Sequence, residues 1–216
     1  MQFKDRTDAG KQLAAALMAY KNHPNAIVIG LPRGGVVTAF EVARALGLKL
    51  DIVVPRKIGA PDNPELAIGA ITEDGTRIFN HDLISQLGVS QSQIERIIEE
   101  ERREAARRLK TYRAGRPPLN VEGKLVILVD DGIATGSTMK AAIASLKAKK
   151  AAKIVVAIPV GPTETIEELK MIVDEVVCLT TPSPFFAIGA FYVQFEQTTD
   201  EEVISLLNPS HERPSA

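Results

Sequence analysis

The chain has 216 residues, yet it holds one cysteine, no tryptophan and only 5% aromatic residues. A single thiol excludes an intrachain disulfide and any cysteine-rich metal site. Cys178 lies in the apolar run Val176-Val177-Cys178-Leu179 and reads as a buried strand thiol. The three histidines, His23, His81 and His211, are scattered without ligand spacing. The scarcity of aromatics argues against a base-stacking surface. Neither sign of charge is in surplus: 26 Lys+Arg stand against 27 Asp+Glu, a formal net charge of -1. No global basic field exists to hold a nucleic acid backbone, so a nucleic acid partner is not expected. The basic stretch at residues 102–116 is diluted by Glu104 and by the acids just before it. No apolar run approaches the ~20 residues that span a bilayer, and residues 1–6 lack the apolar core of a secretory signal. The expectation is a soluble cytoplasmic protein with no membrane partner.

What is present is an ordinary globular mixture, 45% hydrophobic and 25% charged. The length suits one large domain, able to bury a core without covalent staples. Short apolar runs alternate with amphipathic ones, which points to an α/β fold with a mainly parallel sheet flanked by helices. Helical spacing covers residues 8–20, 36–46, 137–146 and 163–173. Strand-like runs cover 26–29, 50–54, 125–129, 154–159 and 176–179, with a further short strand at 66–71 and a turn at 73–76. Gly47 is placed to stop the helix at 36–46. Residues 82–113 interrupt the alternation as a helical insertion, with a capping box signalled at Ser90-Gln91-Ser92-Gln93. One face of this helix carries Ile94, Ile97, Ile98, Ala105, Leu109 and Tyr112. The other carries Glu99, Glu100, Arg102, Arg103, Glu104, Arg107 and Arg108. That charged face reads as a solvated surface laced with i,i+4 pairs; the functional alternatives are a lid or a dimer arm. Residues 209–216 read as a frayed tail.

The chemistry is concentrated where the apolar run Leu125-Val126-Ile127-Leu128-Val129 meets Asp130-Asp131-Gly132-Ile133-Ala134-Thr135-Gly136-Ser137-Thr138. The C-terminal edge of a parallel strand is where α/β proteins bind ligands. Carboxylates there can accept hydrogen bonds from vicinal ribose hydroxyls. Gly132 and Gly136 let the backbone curl so that several N–H groups face one point. With the hydroxyls of Thr135, Ser137 and Thr138 and the following helix dipole, they form an anion cradle. Two acids beside such a cradle suit a sugar phosphate.

This segment resembles the 5-phosphoribosyl 1-diphosphate (PRPP) signature of type I phosphoribosyltransferases: an apolar strand, two acids, then Gly-x-Ala-Thr-Gly-x-Thr, met here at every position from Val126 to Thr138. The resemblance implies a type I core over residues 26–57 and 125–180. It implies a small acceptor-reading hood from 1–25 and 180–208, all within one domain of residues 1–208. It places the pyrophosphate of PRPP at Gly30-Leu31-Pro32-Arg33-Gly34-Gly35, with charge from Arg33, close backbone approach at Gly34 and Gly35, and a cis peptide of the kind family members often hold there. Arg56 and Lys57 resemble the Arg-Lys pair of the adenine and orotate members, although Gly59-Ala60-Pro61 stands where the orotate pattern has a further lysine. Val176 to Phe186 contains no lysine of the kind oxopurine-using members carry. Phe185 and Phe186 lie just past the last core strand, either to sandwich a planar acceptor or as core of the hood.

The implied reaction is transfer of the 5-phosphoribosyl group from PRPP to a small nitrogenous acceptor, a nucleobase among the candidates, with release of pyrophosphate. Asp130 and Asp131 hold the ribose, directly or through water bound to Mg²⁺, while Arg33 and Lys57 offset charge on the leaving group. Mg²⁺ is the implied cofactor, nucleotide metabolism the implied setting and a homodimer an allowed assembly. A lid is expected over the site within 71–116. The alternative is a catalytically weak, PRPP-binding regulator or sensor.

Overall fold

The computed structural model describes residues 2–117 and 120–208. In chain order, α1 (Arg6–Ala16) precedes β1 (Ala26–Gly30), α2 (Gly34–Leu46) and β2 (Lys49–Ile52). Then come β3 (Arg56–Ala60), β4 (Asn63–Ile71), β5 (Arg77–Phe79), α3 (His81–Leu87) and α4 (Gln91–Arg113). The alternation resumes with β6 (Leu125–Val129), α5 (Ser137–Ala148), β7 (Lys153–Val160), α6 (Thr163–Lys170) and β8 (Glu175–Thr180). A 3-10 turn at Ile188–Phe191 and α7 (Asp200–Leu207) follow. The expected tail at 209–216 lies outside the described residues.

Five strands form the main sheet in the order β2-β1-β6-β7-β8, and every pairing is parallel. All five residues of β6 are buried, as they must be in a parallel sheet covered on both faces. Alternate side chains serve opposite layers. Ile27, Ile29, Val126 and Leu128 pack beneath Met139, Ile143 and Leu146 of α5 and Ile166 of α6. Val28, Ile127 and Val129 pack beneath Leu13 of α1 and Ala39, Val42 and Leu46 of α2. α1 therefore covers the core sheet. Ahead of α1 the chain meets the segment past β8, where Phe3 N–H donates to Phe191 O at 2.8 Å and Val193 N–H donates to Phe3 O at 2.8 Å.

The chain leaves β1 for β2 on one side, then returns past β1 to β6 on the other. The sheet thus has a topological switch point between β1 and β6, where α/β sheets bind ligands. Gly30 and Val129 are register partners, so the two loops that follow these strands start side by side.

Residues 56–79 depart from the expectation of a loop and one short strand. They form a three-stranded antiparallel sheet, β3-β4-β5, which puts Arg56 and Lys57 in a strand. Ile58, Ile68 and Ile71 of this sheet pack against Ile94 and Ile98 of α4. The helical insertion is two helices, divided at Gly88 in the left-handed conformation (φ 62°), and the capping box at Ser90 and Gln93 opens the second. The β4–β5 turn is tied to α5: Asp74 accepts from Ser145 Oγ at 2.5 Å and pairs with Lys149 Nζ at 2.7 Å. Burial opposes ionisation of Asp74, but hydrogen bonds from Lys149, Ser145 and Thr72 outweigh it and hold the carboxyl far below its usual range.

Ser145→Ala removes a donor to a charged acceptor and is expected to lower stability by about 1–3 kcal/mol. Chemical denaturation checks it; an unchanged midpoint would mean that the turn is not held by this contact.

Candidate active site

At the switch point, Asp130 and Asp131 leave the end of β6 against the start of α2. Asp131 N–H donates to Asp130 Oδ1 at 2.9 Å. Arg6 Nε donates to Asp131 Oδ2 at 2.5 Å, and Arg6 Nη1 donates to Glu196 O at 2.6 Å. The same guanidinium lies 3.9 Å from the ring centroid of Phe195, and Tyr192 OH donates to Asp131 O at 2.5 Å. A Cβ on Gly34 would lie 2.0 Å from Asp131 Oδ2, and one on Gly35 would lie 2.5 Å from Asp130 Oδ1. The two glycines thus make room for the acids. The Pro32–Arg33 peptide is cis, as the resemblance implies.

Burial, and then the neighbouring Asp131 charge, push the Asp130 carboxyl well above its usual range. Burial raises Asp131 too, with Arg6 opposing. Burial and the Asp131 charge raise the Tyr192 phenol, which stays a donor at ordinary pH.

The loop after the acids is shaped from beneath and open above. Ile133 N–H donates to Val160 O at 3.0 Å, and Thr165 Oγ1 donates to Ala134 O at 2.7 Å. Gly136, with φ 71°, is the N-cap of α5, and no side chain caps that helix. The first helical bond recorded from this end runs from Lys140 N–H to Gly136 O at 2.8 Å, so the first-turn amides of Ser137, Thr138 and Met139 have no helical acceptor. Thr135 Oγ1 and Ser137 Oγ stand 3.2 Å apart at this open end. Unpaired amides and hydroxyls at a helix start are groups of the kind that suit an anion.

Lys57 on β3 lies between two cavities. One, of about 860 Å³, is also lined by Thr135, Ser137, Phe79 and His81. The other, of about 710 Å³, is also lined by Pro32, Arg56 and Thr138. Two sequence expectations change here. Arg33 does not join Lys57: its Nη1 lies 3.7 Å from Asp200 Oδ1 on α7. Arg56 is already paired, Nε to Glu101 Oε2 at 2.7 Å. Of Phe185 and Phe186, the first stacks on Phe191 at 5.5 Å in the layer around Phe3 and Tyr192, as the core alternative has it, whereas Phe186 is 84% exposed. Cys178 is half-buried in β8, with its thiol donating to Thr180 O at 3.2 Å. Sequence reasoning missed Arg6 and Tyr192. No local pattern marks either one, because they meet Asp131 only through the fold.

Residues 2–196 match the family model of the phosphoribosyl transferase domain. The chain belongs to the phosphoribosyltransferase family. It is 44% identical over 209 residues to two Mycobacterium tuberculosis proteins provisionally named phosphoribosyl transferases, with 97% of this chain aligned. It spans 47% of their length. It is 43% identical to the protein TT1426 from Thermus thermophilus, whose crystal structure covers 96% of this chain and 98% of its own with a TM-score of 0.81.

For this phosphoribosyltransferase chain, no cluster of three or more His, Cys, Asp or Glu among the described residues could cage a metal. Asp130 and Asp131 do offer hard oxygens at the site. That donor set fits a magnesium ion that keeps its waters and arrives with substrate phosphates. No helix of the described residues is long and apolar enough to cross a membrane.

The Asp130 carboxyl carries a stability consequence. Its folded value is raised, so the unfolded chain gives up the proton first. Stability therefore falls as pH rises from the unfolded value, about 3.9, towards the folded one. Asp130→Asn removes this penalty and is expected to melt higher than wild type at neutral pH, by about 2–4 °C per kcal/mol recovered. The difference should vanish near pH 4 and below. Thermal scans across pH decide it; a wild type that melts higher at pH 7 would contradict the raised carboxyl.

Proposed function

We propose that this chain transfers the 5-phosphoribosyl group of PRPP to a small nitrogenous acceptor and releases pyrophosphate. The observation that carries the reading is the acid pair of β6 beside the uncapped start of α5, which complements vicinal hydroxyls and a phosphate on one ligand. The amides and hydroxyls of residues 134–138 hold the 5-phosphate. Asp130 and Asp131 accept hydrogen bonds from the ribose hydroxyls. As the bond from C1 to pyrophosphate breaks, the ring gains oxocarbenium character, which the oxygens of the acid pair stabilise. Lys57 and Arg56 offset charge on the leaving oxygens. Magnesium, when bound with PRPP, would neutralise pyrophosphate charge, held by Asp130 and Asp131 through its waters. Arg6 and Tyr192 orient Asp131 from behind, through its carboxylate and its carbonyl.

The sensor reading draws on one observation: Arg33 and Arg56, two of the expected pyrophosphate cations, are already paired with Asp200 and Glu101. A pyrophosphate-release assay with PRPP, Mg²⁺ and a panel of bases, amines and ammonia separates the two. An enzyme releases pyrophosphate with at least one acceptor, and its Lys57→Ala variant loses more turnover than PRPP affinity. PRPP binding without release across the panel would favour the sensor. For the ribose contacts, Asp131→Asn is expected to weaken PRPP by about 1.5–3 kcal/mol with the fold intact. Unchanged affinity by calorimetric titration in both Asp131→Asn and Asp130→Asn would remove the acid pair from the site.

A further inference from the structure

The charged face of α4 is not uniform. Arg103 pairs with Glu99 at 3.3 Å and Arg107 with Glu104 at 2.7 Å, as a solvated helix would arrange them. Arg96, Glu100, Glu101 and Arg108 are different, because they line the cavity of about 710 Å³ that also reaches Pro32 and Thr138. Arg96 and Glu100, four residues apart, share one face of the helix, and Glu101 and Arg108, seven apart, share the neighbouring one. With Arg56 and Lys57 from β3, the described lining carries four cations against two carboxylates, Glu100 and Glu101. Glu104, outside that lining, is paired with Arg108, so the cavity's excess of cations is narrower than its lining alone gives. The cavity borders the cis-peptide loop after β1 and the uncapped start of α5.

Two features show how such a cavity stays stable without an anion. Arg56 is held by Glu101 at 2.7 Å, and Arg108 by Glu104 at 2.7 Å. In each pair one carboxylate oxygen accepts from the arginine Nε, a place that a phosphate oxygen could take. Arg96 is exposed and has no ion pair or hydrogen bond among the described residues. It is a cation at the cavity edge that no group among the described residues neutralises. Arg33, expected in this role, is turned to Asp200 on the far side of its loop.

We infer that the insertion helix α4 forms the outer wall of a diphosphate-binding cavity, with Arg96 and Arg108 contacting the anion and Glu101 standing in for it on Arg56 until it arrives. The inference rests on the PRPP reading and assigns a use to the 82–113 insertion. Binding exchanges the Arg56–Glu101 pair for an Arg56–phosphate pair and brings Arg96 onto the same oxygens. Glu101, left without its arginine, then opposes the anion by charge repulsion and lowers the affinity.

The test is calorimetric titration of the whole chain with inorganic pyrophosphate in the presence of Mg²⁺, and separately with ribose 5-phosphate. Arg96→Ala and Arg108→Ala are each expected to weaken pyrophosphate binding about tenfold, with ribose 5-phosphate unchanged. Glu101→Gln is expected to move the other way and strengthen pyrophosphate binding several-fold. Arg96 makes no contact that the fold needs, so its variant guards against misfolding, which melting curves check. If wild type binds both ligands and the three variants match it for pyrophosphate, the α4 assignment is overturned and the PRPP reading stands. If wild type binds neither ligand, both are overturned.

Discussion

Two carboxylates buried against the backbone of a neighbouring loop set the terms for the rest of the site. Asp130 and Asp131 cannot sit at the end of β6 unless α2 starts without side chains, and Gly34 and Gly35 satisfy that requirement. A buried carboxylate also needs a partner. Arg6 supplies it from the first residue of α1, braced by Glu196 O and the Phe195 ring. Removing one partner of such a pair leaves an uncompensated charge, so the start of the chain and the segment 188–196 are bound to the chemistry of β6. The parallel register of β1 and β6 brings these parts to one place.

The same geometry separates the roles of the molecule's layers. The sheet with α1, α2, α5 and α6 is a close-packed platform whose loops at the switch point hold the ligand groups. The antiparallel sheet and α4 form a second layer, which packs on α2, β2 and α7 through Ala105 and Tyr112 and is anchored by Asp74, Ser145 and Lys149. That anchor ties it to α5, the helix whose start forms the anion cradle. Cations from the second layer then face the cradle across the two cavities that meet at Lys57. On the proposed reading, a phosphate site on one layer and a cationic wall on the other act on one ligand.

Much of this was legible in the sequence where the signal was contiguous. The run from Leu125 to Thr138 gave strand, acids, loop and helix start in the order the structure has them, because each part's chemistry is local. The alternation of apolar runs gave the parallel sheet for the same reason. β3 and β5 were not legible: Pro55, Gly59 and Pro61 punctuate one, and the other is three residues long. Arg33 and Lys57 were expected to converge because both follow core strands, but side-chain direction is decided by the partner each finds, Asp200 for Arg33. Arg6 and Tyr192 escaped because they lie 125 and 61 residues from Asp131. Arg96 and Arg108 were hidden inside a face whose composition resembles any solvated helix. Only the packing of Ile94 and Ile98 onto the antiparallel sheet turns part of that face towards a cavity.

The central claim is that the acid pair and the start of α5 bind one sugar phosphate together. A crystal structure of the chain with ribose 5-phosphate tests it most directly. The account predicts the phosphate on the amides and hydroxyls of residues 134–138, with the ribose hydroxyls within hydrogen-bond reach of Asp130 or Asp131. A phosphate seated elsewhere on the sheet edge, or a ribose turned away from both acids, would contradict it.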